Sequence, residues 1–174
     1  MGHRNRNWTL TWIACAVLAG CAQVPDGVEP IQGFDATRYL GTWYEVARLD
    51  HRFEQGLSQV TATYSARDDG DIDVLNRGFD EAKGTWSEAK GRAKFVGPRD
   101  VGQLKVSFFG PFYGGYNIVD LDPAYSLSLV VGPNRSYLWI LSRAPNPPRE
   151  SVDRLVARAK ALGFDTDALI YVNH

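Results

Sequence analysis

An all-β domain, either a sandwich or a barrel, with one helix near its C-terminus is the fold class this 174-residue sequence predicts. Three observations carry the expectation. Runs rich in Val, Ile, Tyr, Phe and Trp recur at roughly ten-residue spacing, as consecutive short strands do. The gaps between them hold residues that preset φ or tolerate a positive one: Asp68-Asp69-Gly70, Gly97-Pro98, Gly114-Gly115, Asp122-Pro123 and Gly132-Pro133-Asn134. Only one stretch, between Asn146 and Gly163, spaces its apolar residues like a helix.

In chain order, residues 1–20 read as a signal peptide. Arg4 and Arg6 precede the apolar run "WTLTWIACAVLAG", which is shorter than the ~20 residues a membrane-spanning helix needs. Its end, Leu18-Ala19-Gly20-Cys21, resembles the lipobox of bacterial lipoproteins. That resemblance implies that Cys21 becomes the acylated first residue, and Ala22 in place of an aspartate fits sorting to the outer membrane of a Gram-negative cell. Several acyl chains together make such an anchor effectively permanent. Cys15 leaves with the signal, so no internal disulfide is expected. Residues 21–32, "CAQVPDGVEPIQ", have no periodicity and read as a lipidated tether, leaving 33–174 as the folded domain.

Strands are expected near 43–49, 58–66, 71–78, 85–95, 103–109, 115–121, 125–132 and 136–143. A helix follows, with Asn146 as its cap and Pro147 at its first position. Val152, Leu155, Val156, Ala159 and Leu162 form its apolar stripe before Gly163 ends it, so it should lie on the outside of the sheet. A final strand at about 168–172 closes the chain.

Residues two apart share a face of a strand, so alternation sorts inside from outside. The apolar sets Val60-Ala62-Tyr64, Leu104-Val106-Phe108 and Leu127-Leu129-Val131 are assigned inward, as is the small set Ala89-Gly91-Ala93. Val74 and Asn76 share a parity, and so do Trp139, Leu141 and Arg143. In the sixth strand both faces are apolar. Burying Asp120 unpaired would cost several kcal/mol, which assigns Asn117, Val119 and Leu121 inward. Such a lining of small residues, aromatics and isolated amides fits either a tapered filled core or an apolar cavity with a few polar anchors.

Composition excludes several functions. Without the leader, 17 basic residues face 20 acidic ones and no Lys/Arg run occurs, which argues against nucleic acid. His51 is the only histidine between the signal and the terminal His174, and no thiol remains after acylation. No nucleophile and base pair, clustered metal ligands or glycine-rich phosphate loop is visible, so neither an enzyme nor a bound cofactor or metal is expected.

Three motifs carry a family resemblance: Gly41-x-Trp43 followed by Tyr44-Glu45; Asp122-x-x-Tyr125, with Leu121 where a threonine is usual; and Arg143 in "YLWILSRAP". From about Phe34 to Val172 the chain resembles the lipocalins, most of all bacterial lipoprotein lipocalins related to apolipoprotein D. This implies an eight-stranded up-and-down antiparallel barrel with one external C-terminal helix and a short final strand. Gly41, Trp43, Asp122, Tyr125 and Arg143 then meet at its closed end, in a structural role. The loops 49–57, 78–84, 109–115 and 132–136 surround its mouth, where Phe109, Phe112 and Tyr113 would form a lid or a membrane-touching rim. Arg52, Lys83 and Arg135 are head-group candidates by loop position.

The resemblance further implies that the barrel holds a fatty acid or lysophospholipid, and the inward faces assigned by alternation would line that cavity with Ala62, Tyr64, Val74, Asn76, Val106, Phe108, Asn117, Val119, Leu129, Trp139 and Leu141. The function it implies is lipid storage or transport in envelope maintenance, by a protein anchored to the outer membrane on its periplasmic face, with a homodimer allowed. The competing expectations are a structural envelope lipoprotein without a ligand and a lipid-modifying enzyme.

Overall fold

The computed structural model describes residues 23–174; the signal peptide, its lipobox and Cys21 lie outside the described residues. A one-turn helix α1 (Ala36–Tyr39) leads into eight antiparallel strands: β1 (Gly41–Arg48), β2 (Leu57–Ala66), β3 (Ile72–Asp80), β4 (Thr85–Phe95), β5 (Gln103–Phe109), β6 (Phe112–Leu121), β7 (Leu127–Val131) and β8 (Leu138–Ser142). Helix α2 (Arg149–Ala161), a short 3-10 turn and β9 (Ile170–Tyr171) complete the chain. Each strand pairs with its successor, and β1 pairs with both β8 and β2, so the sheet closes on itself as a barrel. Closure removes the free edges that a flat sheet of this size would expose.

The closure is shared along β1. Its first half, Gly41 to Tyr44, pairs with β2, and its second half pairs with β8. Beside that second half, β9 takes the place β2 has left, with Ala47 opposite Tyr171 and Arg48 opposite Ile170. The terminal residues tie the gap: Gln59 N donates to the Asn173 carbonyl and Val172 N to that of Val46.

Two apolar cores result, one on each side of the wall. Inside the barrel lie Phe34, Tyr39, Trp43, Tyr64, Ile72, Val74, Ala93, Leu104, Ile118, Val130 and Leu141. Outside, α2 presents Val152, Leu155 and Ala159 to Ala47, Val119, Leu127, Leu129, Val131, Leu138 and Ile140. The wall under α2 is thus apolar on both faces, and all five residues of β7 are buried.

Several expectations need correction. The serine–leucine alternation of β7 runs opposite to the assignment: Leu127, Leu129 and Val131 face α2, and Ser128 and Val130 face inward. Alternation alone assumes a wet outer face, and here the helix supplies a second apolar environment. In β6, Asp120 does face out, where Arg154 of α2 pairs with it at 3.1 Å, and Leu121 does face in. Asn117 and Val119, however, point outward, because a β-bulge inserts Val119 between Ile118 and Asp120 and reverses the parity.

The helix starts at Arg149 and not at Pro147, with Pro148 as N-cap and no side-chain cap bond. The residue before a proline is held out of the helical region, so Pro147 cannot enter the helix ahead of Pro148. Gly114-Gly115 is no turn either. The β5–β6 turn is Gly110–Pro111, and a side chain at Gly115 would strike the Gln23 carbonyl at 2.6 Å, so this glycine lets the N-terminal segment cross the wall.

Candidate functional site

One end of the barrel is sealed by hydrogen bonds that converge on Arg143. Its guanidinium lies 4.0 Å from the Trp43 ring and donates to the carbonyls of Thr42 (2.9 Å), Arg38 (2.9 Å), Leu40 (2.7 Å) and Tyr125 (3.3 Å). One cation thus satisfies carbonyls from two separate stretches of chain, 38–42 and the β6–β7 turn, and stacks on the indole that closes the floor. Trp43 is wholly buried, and its indole N–H donates to the Tyr39 carbonyl at 2.8 Å. Gly41 has φ +93°, and a side chain there would sit 3.3 Å from Arg143 Nη1.

Asp122 organises the β6–β7 turn, accepting from the backbone of Ala124, Ser126 and Leu127 and from the Ser126 hydroxyl. Those bonds lower its carboxyl pKa against the opposing effect of burial. The Tyr125 hydroxyl accepts from Asp35 N at 2.9 Å, and Arg38 covers its ring at 4.0 Å. All five residues expected at the closed end are therefore there.

Above this floor lies a layer of tyrosines. The Tyr116 hydroxyl is 2.9 Å from that of Tyr39 and 2.8 Å from that of Tyr64, and Tyr39 donates to Ser128 Oγ. Burial pushes the Tyr39 phenol up to about 12 and raises Tyr64 and Tyr116 well above the ordinary value, so all three stay neutral. Tyr64, Val74 and Leu141, expected to line a cavity, are buried in the inner core. Ala62, Val106, Phe108 and Trp139 also face inward and keep partial exposure. Asn76 lies opposite Ala62, half-buried, and its Oδ1 has no partner among the described residues.

Asn117, Val119 and Leu129 are not brought to this lining. Val119 and Leu129 pack under α2, and Asn117 Nδ2 donates to the carbonyls of Gln23, Val131 and Gly132.

Toward the open end the lining becomes ionic, which alternation did not anticipate. Glu45 and Arg48 both face inward, because the bulge at Val46 lets Glu45 oppose Leu141 and Arg48 oppose Trp139 while Ala47 turns out. Arg48 Nη1 donates to Glu45 Oε1 at 2.7 Å, and Nη2 reaches the Glu54 carbonyl at 2.9 Å. Glu54 comes from the β1–β2 loop, and its Oε2 accepts the Trp139 indole N–H at 3.0 Å. Rings close the cluster: His51 lies 4.8 Å from Trp139 and 4.9 Å from Tyr137. Exposure of Glu45, Arg48, His51 and Glu54 is 4, 2, 5 and 6%. Burial, then the neighbouring Glu54 charge, push Glu45 up to about 8, and Glu54 is raised by burial. Burial, then Arg48, lower His51 to about 4, so its ring is neutral near pH 7.

Around this mouth stand Phe53, Phe109 and Phe112, at 62, 81 and 75% exposure. Tyr113 is half-buried below Lys105, whose Nζ is 5.1 Å from its ring. Of the head-group candidates, Arg52 is exposed and Lys83 pairs with Asp80 at 2.6 Å. Arg135 is spent elsewhere, donating to the carbonyls of Leu162 and Asp26. Two open depressions also lie on the outer wall, one beside Tyr44, Arg77 and Trp86 and one beside α2 and β9; neither reaches the interior residues. Among the described residues no group of three His, Cys, Asp or Glu could hold a metal ion.

Comparison with known proteins adds independent findings. A family model described as a lipocalin-like domain matches residues 34–174. The outer membrane lipoprotein Blc of Vibrio cholerae is 56% identical over 162 residues, covering 92% of this chain and 95% of that protein. The Escherichia coli protein of the same name is 54% identical over 148 residues, covering 85% and 84%. Among solved structures, insecticyanin from the tobacco hornworm superposes with a TM-score of 0.69 at 18% identity, covering 87% of each chain, which supports the shared fold alone.

Proposed function

The chain belongs to the lipocalin family, and from that premise we propose that it is an outer-membrane lipoprotein holding a fatty acid or lysophospholipid in its barrel, for storage or transport of envelope lipid. The observation that carries this reading is the change of lining along the barrel axis. In the closed half the side chains around Trp43 and the tyrosine layer are buried, whereas Ala62, Val106, Phe108 and Trp139 keep partial exposure. An apolar wall with a few polar groups at one opening suits a ligand with a long tail and a small head.

Each methylene moved from water into such a site contributes about 0.8 kcal/mol, against association costs of several kcal/mol. Tail burial would therefore dominate affinity, and the polar groups would set selectivity. Cys21 would supply the anchor to the outer membrane, with the barrel on the periplasmic side and close to the bilayer, because residues 23–32, expected to be a free tether, are docked on the barrel: Val28 is buried in the outer core, Ile31 N donates to the Ile118 carbonyl, and Asn117 and Arg135 hold the carbonyls of Gln23 and Asp26. The ligand would touch Ala62, Val106, Phe108, Trp139 and Leu141, with Asn76 as a polar anchor. The seal at Arg143 and Trp43 would serve the fold only.

The test is a titration of delipidated protein with oleate and with an oleoyl lysophospholipid, following tryptophan fluorescence. Saturable quenching that disappears in a folded Trp139→Phe variant supports the reading. No saturable binding of either lipid leaves the alternative, an envelope lipoprotein with a filled barrel.

A further inference from the structure

The segment that precedes the barrel is fastened to it at two different heights. Near the floor, Phe34 N donates to the Asp100 carbonyl, and Ile31 exchanges backbone bonds with Ile118 and Gly102. Farther back along the chain, Val28 is buried in the outer core and Arg135 donates to the Asp26 carbonyl at 2.6 Å. At the start of the segment the Gln23 carbonyl accepts from Asn117 Nδ2, a wholly buried amide that also holds the carbonyls of Val131 and Gly132, where β7 runs into a mouth loop. The same carbonyl sits in the space left by the missing side chain of Gly115, with Pro133 beside it. Residues 23–32 are thus a docked arm that leaves the barrel next to the β7–β8 loop.

Covalent geometry limits where an anchor can then lie. Cys21 is two residues before Gln23, and two extended residues span at most ~7 Å. The closed-end turn at Asp122 is five residues along β6 from Asn117, roughly 17 Å at the rise of an extended strand. An anchor at Cys21 therefore stays on the mouth side of the closed end for as long as the arm is docked. In the other direction along the same strand stands the β5–β6 hairpin tip, with Phe109 opposite Phe112 and both rings largely exposed. Phe112 is three residues from Gly115, roughly 10 Å away. The turns of the closed end carry Asp68, Asp69, Arg99 and Asp100 in exposed positions, and among the described residues no exposed large aromatic side chain stands there. Phenyl rings gain by entering an apolar phase, whereas such charges lose their hydration.

We propose that the docked arm holds the barrel mouth-first against the leaflet that carries the Cys21 anchor, with Phe109 and Phe112 immersed in the interfacial zone of that leaflet. The partner of this surface is a lipid bilayer. A free tether would let the barrel rotate above the membrane, and the arm removes that freedom by fixing the exit point on one side of the mouth. The charged closed end then faces away from the bilayer, and the mouth opens onto the lipids among which the protein is anchored. This rests on the reading of Cys21 as the lipid anchor and adds the orientation that the anchor imposes.

The experiment reads the height of two sites above the membrane. Full-length protein, acylated in its host, is placed in phosphatidylcholine vesicles that contain a lipid with a nitroxide on its head group. A bimane is attached either at Glu81→Cys, in the β3–β4 turn at the mouth, or at Ala124→Cys, in the β6–β7 turn at the closed end; both positions are exposed. Ala124 follows β6, the strand beside the arm, while Glu81 is three strands away, so a barrel lying on its side would quench the closed-end probe more. The expected result is quenching at least threefold stronger at position 81 than at 124. That ratio should persist in the double variant Phe109→Ser and Phe112→Ser, because the arm alone sets the orientation. It should fall to within 1.5-fold when the double variant also carries about twelve Gly and Ser residues inserted between Ala22 and Gln23, a flexible length that frees the barrel. Equal or reversed quenching with the arm intact overturns the proposal, as does a ratio that collapses with the ring changes alone or survives the combined variant. Flotation with the vesicles, against a Cys21→Ser baseline, is measured first. Protein that does not float overturns the anchor together with this orientation and leaves the lipid-binding reading, which is tested by titration, in place.

Discussion

Arg143 shows how much of this barrel depends on one side chain. Its four carbonyl acceptors come from the α1 segment, the start of β1 and the β6–β7 turn. Charge-assisted bonds of this kind contribute ~1.5–3 kcal/mol each at most, and they are not additive. We expect Arg143→Ala to lower unfolding free energy by about 3 kcal/mol in urea denaturation; a loss below about 1 kcal/mol would show that the seal is redundant. Glu45 gives the second prediction at this scale. Its folded pKa of about 8 exceeds the ordinary 4.5, so the native state holds the proton more tightly. Its contribution is complete below about 4.5 and is lost as pH rises to about 8, with a slope of at most ~1.4 kcal/mol per pH unit. His51, lowered from 6.5 to about 4, acts in the opposite sense, but only below pH 6.5. Glu54, also raised by burial, acts in the same sense as Glu45, so between pH 6.5 and 8 stability should fall in the native protein and fall less steeply in Glu45→Gln, as followed by thermal melts. The residues of the closed end were legible from three sequence motifs. The ionic cluster was not, because Glu45 and Arg48 are three apart and a regular strand would put them on opposite faces.

Bulges decide what the elements present. Val46 in β1 and Val119 in β6 are single extra residues, and each reverses the inside–outside parity of the residues after it. Every strand was legible from its β-rich composition, but the turn between β5 and β6 was misplaced at Gly114-Gly115 and the facing of β6 and β7 was not legible. A bulge leaves no mark on composition, and an apolar outer face under a helix looks the same as an apolar interior. Leu155 of α2 is wholly buried against that outer face. Leucine truncation in a packed core costs ~2–5 kcal/mol. We expect Leu155→Ala to destabilise by about 3 kcal/mol in denaturant titration, while lipid affinity of the folded fraction changes by less than threefold, because the helix packs on the far side of the wall. A larger affinity loss would mean that the wall transmits strain to the interior.

At the scale of the molecule, the two ends of the barrel are chemically opposite. One is plugged by Arg143 on Trp43, and the other carries three exposed phenyl rings on two mouth loops. Water-exposed Phe side chains gain ~1.5–3 kcal/mol each when fully buried in an apolar medium, so this rim is suited to touch a membrane surface. We expect the double change Phe109→Ser and Phe112→Ser to slow uptake of a fluorescent lysophospholipid from vesicles at least tenfold, with uptake from free solution unchanged; equal slowing of both would assign the rings to the cavity. The sequence by itself determined the all-β class, the order of strands, the outer helix and the residues of the closed end, since these follow from local period, turn chemistry and three short motifs. Only the tertiary structure decided which faces look inward, where the interior is packed, and that two glutamates share one arginine at the mouth. Those depend on bulges, on a helix that makes an outer face dry, and on loop residues folded over the opening, and such relations exist only between segments distant in the chain.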